Sequence, residues 1–182
     1  MASQALVDFY IQLHLLFYWL IFLLSYGESF VVIGLFVPGS ISLILSGYLS
    51  AKGFFDFGDL FFFATLGAIA GDYTSYYLGR IGAFTNKNSR FFLVNESKLA
   101  YGKDFFYKHG TKSVFWGRFI GLLRPIIPFV AGIFKMDEKK FLFWNIFSGI
   151  LWAFSHLIIG FFFYHTFIKV SEWFSTIIRG LI

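Results

Sequence analysis

The sequence predicts an all-α integral membrane protein, and two observations lead to that fold class. The first is composition: of the 182 residues, 58% are hydrophobic and 14% are charged, and the mean hydropathy is +0.71, whereas soluble domains carry about 25% charged residues. The second is the position of the three prolines, Pro38, Pro125 and Pro128, which all lie inside strongly apolar segments. Because proline interrupts a helix, we expect intact membrane helices combined with broken ones.

Three apolar stretches predict helices that span the membrane. Residues 9–27 and 141–168 contain no charged residue, and each is long enough to cross a hydrocarbon core about 30 Å thick. No Lys or Arg precedes Lys52, so residues 9–27 lack the positive start of a cleaved signal peptide and are predicted to be a retained helix. The third stretch, 57–79, has Asp72 inside it. Small residues recur at every fourth position of this stretch and predict close helix packing: Gly67, Gly71, Ser75 and Gly79.

Chain length and the absence of cysteine limit the other possibilities. A chain of 182 residues provides about four to six membrane segments, so we expect a single membrane domain over residues 1–182 without a sizeable soluble domain. Because the chain has no cysteine, disulfides, thiolate metal sites and cysteine nucleophiles are excluded.

The segments that contain proline predict two re-entrant hairpins. In residues 28–51, Pro38 and Gly39 leave about ten residues on either side, which is roughly half a membrane thickness of helix. A re-entrant hairpin that turns at Pro38 and Gly39 fits this segment at least as well as a kinked span, and we expect the hairpin. The second hairpin is expected over residues 113–134, and the residues that shape it are Pro125, Pro128 and Gly132.

The two broken segments align without gaps, which suggests an internal repeat. Superposing residues 27–28 on residues 117–118 brings Pro38 onto Pro128 ten positions later. If the two halves are inverted, the hairpins enter from opposite faces of the membrane and meet near its midplane, as in transporters built from inverted repeats.

Positive charge is concentrated between residues 80 and 112. This stretch holds seven basic and two acidic residues, an excess equal to the net charge of +5 of the whole chain. Cytoplasmic loops carry such an excess of Lys and Arg, and aromatic residues interleaved with lysines in residues 83–112 predict an amphipathic segment on the cytoplasmic membrane surface. We favour this interpretation over a nucleic-acid-binding patch. The expected location is the inner (plasma) membrane, with several crossings of the bilayer.

Arg118 and Arg124 are the first candidates for substrate contact. An arginine at the membrane centre costs about 2.5–3.5 kcal/mol on insertion scales. Pro125 biases the backbone of Arg124 away from the helical region, which allows a turn that brings both guanidinium groups together. Such groups bind phosphate oxygens in a planar, bidentate geometry. Two interpretations stay open: both arginines bind a phosphate, or they pair with Glu28 and Asp72 to hold the fold.

Glu28 and Asp72 are candidate proton carriers. A carboxyl group removed from water can exchange a proton near neutral pH, which is the chemistry that proton coupling needs. Each residue also has a structural interpretation. Glu28 can be an interfacial carboxylate stabilised by a helix dipole, and Asp72 can form an ion pair or a hydrogen bond to Tyr76 one turn away.

The sequence contains no pattern typical of a hydrolase, a nucleotide-binding protein or a metalloenzyme. His14, His109, His156 and His165 lack the spacing of metal ligands, and neither a Walker loop nor a G-x-S-x-G elbow is present. We therefore expect a protein that is not an enzyme and holds no metal or cofactor. His156 is interpreted as a packed neutral imidazole in preference to a proton relay, and Trp152 as a packing or membrane-belt residue.

Three stretches carry a family resemblance. They are Glu28 with Phe36-Val-Pro38-Gly39, then Gly67, Gly71-Asp72 and Tyr76-Tyr77-Leu78-Gly79-Arg80, and finally Arg118-Phe119, Arg124, Pro128 and Ala131-Gly132. In this order and spacing they resemble the DedA family of membrane proteins, also called the VTT or SNARE-associated Golgi protein group, over about residues 20–160.

The resemblance implies two facing re-entrant hairpins and a lipid transporter. Bacterial members look like proton-coupled flippases for undecaprenyl phosphate or phospholipids, and eukaryotic relatives act as scramblases. Glu28 matches the essential acid of the family, and Arg118 and Arg124 match its essential arginine pair. Many bacterial members have a second acid directly after the Pro-Gly, where this chain has Ser40. Asp72 is therefore the candidate for the second proton carrier.

The sequence thus predicts a flippase for a lipid phosphate such as undecaprenyl phosphate or a phospholipid. Arg118 and Arg124 are expected to bind the phosphate, and Glu28 and Asp72 to couple its movement to protons. The rival functions are a passive lipid scramblase, an assembly factor for membrane proteins and, with less support, a lipid-phosphate hydrolase. The expected partners are membrane lipids and protons, and a homo-oligomer is compatible with the sequence.

Overall fold

The computed structural model describes residues 2–82 and 96–181, and within these ranges the chain forms helices and no strand. The all-α prediction is therefore confirmed for the described part of the chain. In chain order the helices are α1 (Ala2–Ser29), α2 (Gly39–Ala51), α3 (Phe57–Arg80), α4 (Glu96–His109), α5 (Ser113–Arg118), α6 (Ile126–Ile133) and α7 (Glu138–Leu181), with a 3₁₀ turn at Gly110–Lys112 between α4 and α5.

Helix α3 is packed on several sides by other helices. It runs parallel to α1, since Tyr18 stacks on Phe63 near the start of α3 and Ser75 near its end donates to the backbone carbonyl of Ser29. The predicted stripe of small residues lies at these contacts. A Cβ built on Gly67 or Gly71 would overlap a carbonyl oxygen of α1, and one built on Gly79 would overlap a carbonyl oxygen of α6. The prediction of close packing is thereby confirmed.

Helix α2 runs alongside α7 in the same direction. Ile44 contacts Gly160, and one turn later the ring of Tyr48 lies 5.3 Å from that of Tyr164. The helices approach closely because both contact faces contain glycine. A Cβ on Gly160 would overlap the Ile44 carbonyl oxygen. An apolar core of α1, α2, α3 and α7 lies beside this contact and contains Leu43, Leu60, Ala64, Ala68, Trp152 and Leu157.

Both segments that contain proline are broken. After α1 ends, residues 30–36 form a series of turns, and Pro38 directly precedes α2, so the first break is wider than the predicted turn at Pro38 and Gly39. The second break covers residues 119–125, between α5 and α6. Pro125 and Pro128 stand at or within the first turn of α6, where a missing N–H costs no helical hydrogen bond.

The two breaks contact each other. A Cβ built on Gly34 would lie 2.7 Å from the Cβ of Pro125, so only glycine leaves room for the second break at this position. The open ends of the two segments lie at opposite ends of α3. The loop after α2 leads to Asp56 at the start of α3, where the Asp56 backbone N–H donates a hydrogen bond to the Tyr18 hydroxyl of α1. Near the end of α3, Arg80 pairs with Glu138 at the start of α7.

Apolar side chains cover much of the outer surface. Among the described residues, one helix, Glu138–Lys169, is long and apolar enough to cross a membrane by length and composition, and Gly39–Ala51 is apolar but shorter. Large hydrophobic side chains on other helices are also exposed, among them Leu16, Leu23, Phe62 and Trp116. Soluble monomers rarely expose contiguous apolar areas beyond a few hundred Å², so this surface is suited to lipid.

The predicted amphipathic segment, residues 83–112, is described only from residue 96 onward; residues 83–95 lie outside the described part. Helix α4 packs on α6, where the ring of Phe106 stacks on Phe134 at 5.2 Å. Another face exposes Asp104 and Lys108. A hydrogen bond from Lys108 to Asp104 raises the pKa of the lysine. The helix therefore presents a charged face and an apolar face, as the sequence predicts for this part.

Candidate functional site

A polar cavity of about 190 Å³ lies where the two broken segments meet α7. Its walls come from the end of α1, the start of α2, the second break with its flanking α5, and the middle of α7. The lining residues are Glu28, Ser40, Arg118, Phe119, Gly121, Arg124, Trp152 and His156. Two arginines, an acid and an imidazole thus share one small space inside an otherwise apolar protein.

Arg124 is held by both broken segments. Its Nη1 lies 2.6 Å from Glu28 Oε1 and donates to Ser40 Oγ at 3.0 Å, while Ser40 Oγ donates to Glu28 Oε1 at 2.5 Å. Its Nη2 donates to Ser29 Oγ at 3.3 Å. The guanidinium group also lies 3.8 Å from the ring centre of Trp152, which is a cation–π contact. These contacts fix one orientation of the guanidinium plane.

Arg118 has a separate set of partners on α3 and α7. Its Nη2 pairs with Asp72 Oδ2 and donates to Asn145 Oδ1 at 2.5 Å. Asn145 is oriented by its own Nδ2, which donates to the carbonyl of Ile69 at 3.1 Å. Arg118, Asp72 and Asn145 are at most 3% exposed. The pair is therefore sealed from bulk solvent more completely than that of Arg124 with Glu28, whose side chain is 13% exposed.

Several polar atoms of the two ion pairs have unused hydrogen-bonding capacity. Within the described residues, Arg118 Nε, Arg118 Nη1 and Arg124 Nε are buried donors without a partner, and Glu28 Oε2 and Asp72 Oδ1 are buried acceptors without one. A buried polar atom left unpaired costs about 1–3 kcal/mol. Three free guanidinium nitrogens on two arginines match the chemistry of an anion with several oxygen atoms, such as phosphate.

Two glycines make space for these charged groups. A Cβ on Gly39 would overlap Glu28 Oε2, and a Cβ on Gly149 would lie 3.0 Å from Arg118 Nη1. Glycine follows Pro38 because the carboxylate of Glu28 fills the space that a side chain at position 39, the start of α2, would need. The close approach at Gly149 lets Arg118 lie against the backbone of α7.

The structure brings the four predicted charged residues into two neighbouring ion pairs. Arg118 and Arg124 line the same cavity, as predicted, and Glu28 joins them. Asp72 contacts Arg118 from behind and is not one of the lining residues. The pairing of arginines with Glu28 and Asp72, one of the two interpretations left open, is observed; contact with a phosphate stays a prediction.

The proline and glycine positions have different roles in the site. Pro38 directly precedes α2, and Gly39 lies directly beside Glu28. Pro125 contacts the first break at Gly34. Pro128 and Gly132 are buried in α6, where Gly132 lies against the backbone of Tyr76 and Arg80 in α3.

Sequence reasoning did not assign Ser29, Asn145, Trp152 and His156 to the site. Trp152 stacks on Arg124, and His156 lines the cavity while its Nδ1 bonds the Trp152 carbonyl at 2.8 Å. Asn145 had a usable signal, because it is a carboxamide inside the uncharged stretch 141–168, and a buried amide needs partners. The positions of the other three depend on contacts between elements distant in sequence.

Residues 37–162 match the family defined by the VTT domain. The chain belongs to the VTT, or DedA, family. Protein DedA of Escherichia coli (strain K12) is 31% identical over 151 residues, which cover 80% of this chain and 68% of that protein. A membrane protein of Buchnera aphidicola subsp. Acyrthosiphon pisum is 36% identical over 130 residues, or 71% of this chain and 51% of that protein.

Inner membrane protein YqjA of Escherichia coli (strain K12) is 29% identical over 137 residues, which cover 75% of this chain and 62% of that protein. This chain thus spans between about half and two thirds of the length of these relatives. No solved structure matches the chain. Two of these relatives are named as membrane proteins, in agreement with the exposed apolar surface, and the protein is a membrane protein.

Proposed function

We propose that the protein moves a lipid phosphate across the bilayer, with Arg118 and Arg124 as the phosphate ligands. The observation that carries the proposal is the convergence of two buried arginines, with unpaired donors, on one cavity at the contact between two broken segments. The substrate class includes undecaprenyl phosphate and phospholipids. Guanidinium groups bind phosphate through charge-assisted, bidentate hydrogen bonds, and these compensate the cost of taking the phosphate out of water.

The internal carboxylates supply a means of coupling. Glu28 and Asp72 pair with the arginines that a phosphate would bind, so carboxylate and substrate compete for the same guanidinium groups. A proton on either carboxyl group weakens its ion pair and releases the arginine. Because linkage is reciprocal, phosphate binding in turn favours protonation of Glu28 and Asp72. With both acids protonated, the two arginines neutralise a phosphate dianion.

The broken segments are proposed to be re-entrant hairpins that enter from opposite membrane faces, in a protein that crosses the inner membrane several times. Three observations support this: the breaks contact each other at Gly34 and Pro125, the open ends lie at opposite ends of α3, and the cavity is polar. Irregular backbone at membrane depth persists where it is buried in protein or lines a wet cavity. An inverted repeat would account for the arrangement.

A flip assay on purified protein in liposomes tests the proposal. The assay follows a fluorescent polyprenyl phosphate beside a fluorescent phospholipid, with and without a pH gradient. We expect the wild-type protein to move the polyprenyl phosphate in a gradient-dependent way and Arg118→Ala to abolish the movement. Arg80→Ala is the matched control, because Arg80 is a half-exposed arginine at the end of α3, outside the cavity, and should retain transport.

The same assay separates the rival functions. Equal movement of both lipids without a gradient would identify a passive scramblase that uses the same cavity. No movement of either lipid, by protein that is folded and inserted, would contradict lipid transport and favour a role in the assembly of membrane proteins. Release of inorganic phosphate from a lipid phosphate would identify a hydrolase.

A further inference from the structure

An apolar groove of about 410 Å³ lies between α2 and α7 on the outer surface of the molecule. Its lining is aliphatic and aromatic: Ile41, Ile44, Leu45, Tyr48, Gly160, Phe163 and Phe167. Small-ligand sites have volumes of about 300–1,000 Å³, and the volume of the groove falls within this range. Gly160 meets the backbone of Ile44 there, so the two helices approach closely along the groove.

The groove lies about one helical turn beyond the polar cavity along the same two helices. Ser40 and His156 line the cavity. Ile44 and Gly160 line the groove, and each lies four residues, or about one helical turn of 5.4 Å, farther along α2 and α7. Because the two helices run in the same direction, both walls pass together from polar to apolar residues.

We infer that this groove holds the hydrocarbon tail of the same lipid whose phosphate lies between Arg118 and Arg124. The inference rests on the proposed function and adds a tail site to it. A phosphate in the cavity places the first carbons of its ester beside Ser40 and Ile41, and the groove receives the chain from there. The occupant has one charged end and one linear apolar part, as the order of the lining residues requires.

The dimensions favour a single hydrocarbon chain over a helix of another protein. One turn of an α-helix, about 5.4 Å long and 10–12 Å wide, already has a volume of about 400–600 Å³, so the groove would accommodate no more than one turn. A hydrocarbon chain is narrower and can follow the passage from Ile41 to Phe167. The groove therefore selects a tail by shape.

In a bilayer the tail gains little free energy from leaving lipid, because lipid tails are as apolar as the groove. We therefore expect the groove to determine where the tail lies and to add little to the affinity of the protein for the lipid. The test consequently measures proximity. In the test variant, a benzophenone amino acid replaces Phe163, which lies in the groove. In the matched control it replaces Phe162, on the same helix but outside the groove. The Phe163 and Phe162 side chains are similarly exposed, at 62% and 60%.

Each protein is placed in phospholipid nanodiscs with a trace of radiolabelled polyprenyl phosphate and irradiated. Isopentenyl phosphate, a five-carbon monoester, serves as the competitor, and its binding to the wild-type protein is measured separately by equilibrium dialysis. We expect crosslinking of the polyprenyl phosphate at Phe163 to fall about ten-fold with the competitor at about ten times its Kd, as mass action requires. The weaker crosslinking at Phe162 should not change.

The outcomes separate failure of the groove from failure of the proposed function. If isopentenyl phosphate binds but crosslinking at Phe163 equals that at Phe162 and ignores the competitor, the groove holds bulk lipid and the inference is wrong while the phosphate site stands. If Phe163 crosslinks to a second copy of the chain, the inference is also wrong. If dialysis detects no binding of isopentenyl phosphate, both the phosphate site and the tail site are overturned.

Discussion

Arg118 and Arg124 carry the same charge and line the same cavity, but their surroundings differ. Arg124 is held by Glu28, whose side chain is 13% exposed, so water and protons reach this pair first. Arg118 is held by Asp72 and Asn145 in a sealed environment. At the residue scale the site therefore combines an accessible ion pair with a buried one, and the two acids are expected to differ in what their removal does.

For the buried pair, we predict that Asp72→Asn lowers the free energy of unfolding by about 3–5 kcal/mol, because it leaves the Arg118 charge uncompensated in an apolar environment. The double variant Asp72→Leu, Arg118→Met removes both charges and should recover most of that loss. Chemical unfolding in detergent measures both effects.

The same double variant distinguishes a structural from a functional role of Arg118. It should be folded and inserted but inactive in the liposome flip assay, because a phosphate ligand is missing. Transport at the wild-type rate by this variant would show that the buried pair only holds the fold.

For the accessible pair, we predict that Glu28→Gln abolishes the dependence of transport on a pH gradient while phosphate binding is retained or strengthened. Glutamine keeps the shape of the protonated carboxyl group and no longer competes for Arg124 as an anion. Equilibrium dialysis with isopentenyl phosphate and the flip assay with and without a gradient measure the two effects. Glu138→Gln, an exposed acid paired with Arg80 outside the cavity, is the control; unchanged gradient dependence in Glu28→Gln would exclude Glu28 as a proton carrier.

At the scale of elements, close approach of helix backbones sets the geometry of the site. Glycines on α3 and α6 bring these helices into backbone contact, and α6 in turn follows the break that carries Arg124. The position of the arginine thus depends on packing several residues away. Proline breaks the segments, but glycine decides how near the broken pieces come to their neighbours.

We predict that Gly132→Ala destabilises the fold by about 1–3 kcal/mol, the usual range for overpacking. A methyl group at this position would overlap the Tyr76 carbonyl oxygen, and backbone atoms cannot move aside as a side chain can. Thermal unfolding in detergent measures the effect. Ala131→Gly, at the neighbouring buried position on α6, gives the effect of a changed helix propensity without added volume, and equal stability of Gly132→Ala and wild type would contradict the packing argument.

At the scale of the whole molecule, the two broken segments open toward opposite ends of α3. The loop after α2 lies near the start of α3, and the connection between α6 and α7 lies near its end. The excess of basic residues between 80 and 112 predicts that the end of α3 is on the cytoplasmic side. We therefore expect Lys112 to lie inside the cell and Lys52, near the start of α3, to lie outside.

Because the natural chain contains no cysteine, single-cysteine variants report this topology directly. In intact cells, a maleimide that does not cross membranes should label Lys52→Cys and spare Lys112→Cys, and lysis should expose the latter. Both positions are exposed in the structure, so access is limited by the membrane. Labelling of both variants in intact cells would contradict opposite entry of the two segments.

The sequence by itself determined the helical membrane class, the long helices, the places where helices break and the four charged residues of interest. Each follows from local properties: the apolar length of a segment, the missing N–H of proline and the cost of a charge in lipid. Even the small-residue stripe of α3 could be recognised from its spacing.

Only the tertiary structure decided which charges pair, because the partners are far apart along the chain: Arg124 binds Glu28, and Arg118 binds Asp72 and Asn145. It also placed Trp152 under Arg124 and an apolar groove one helical turn beyond the cavity. These relations depend on distances between backbones set by glycine contacts on α2, α3, α6 and α7, and sequence spacing along one segment carries no information about them. The residues that bear the chemistry were therefore readable in the sequence, while their arrangement as a site came from the packing of the helices.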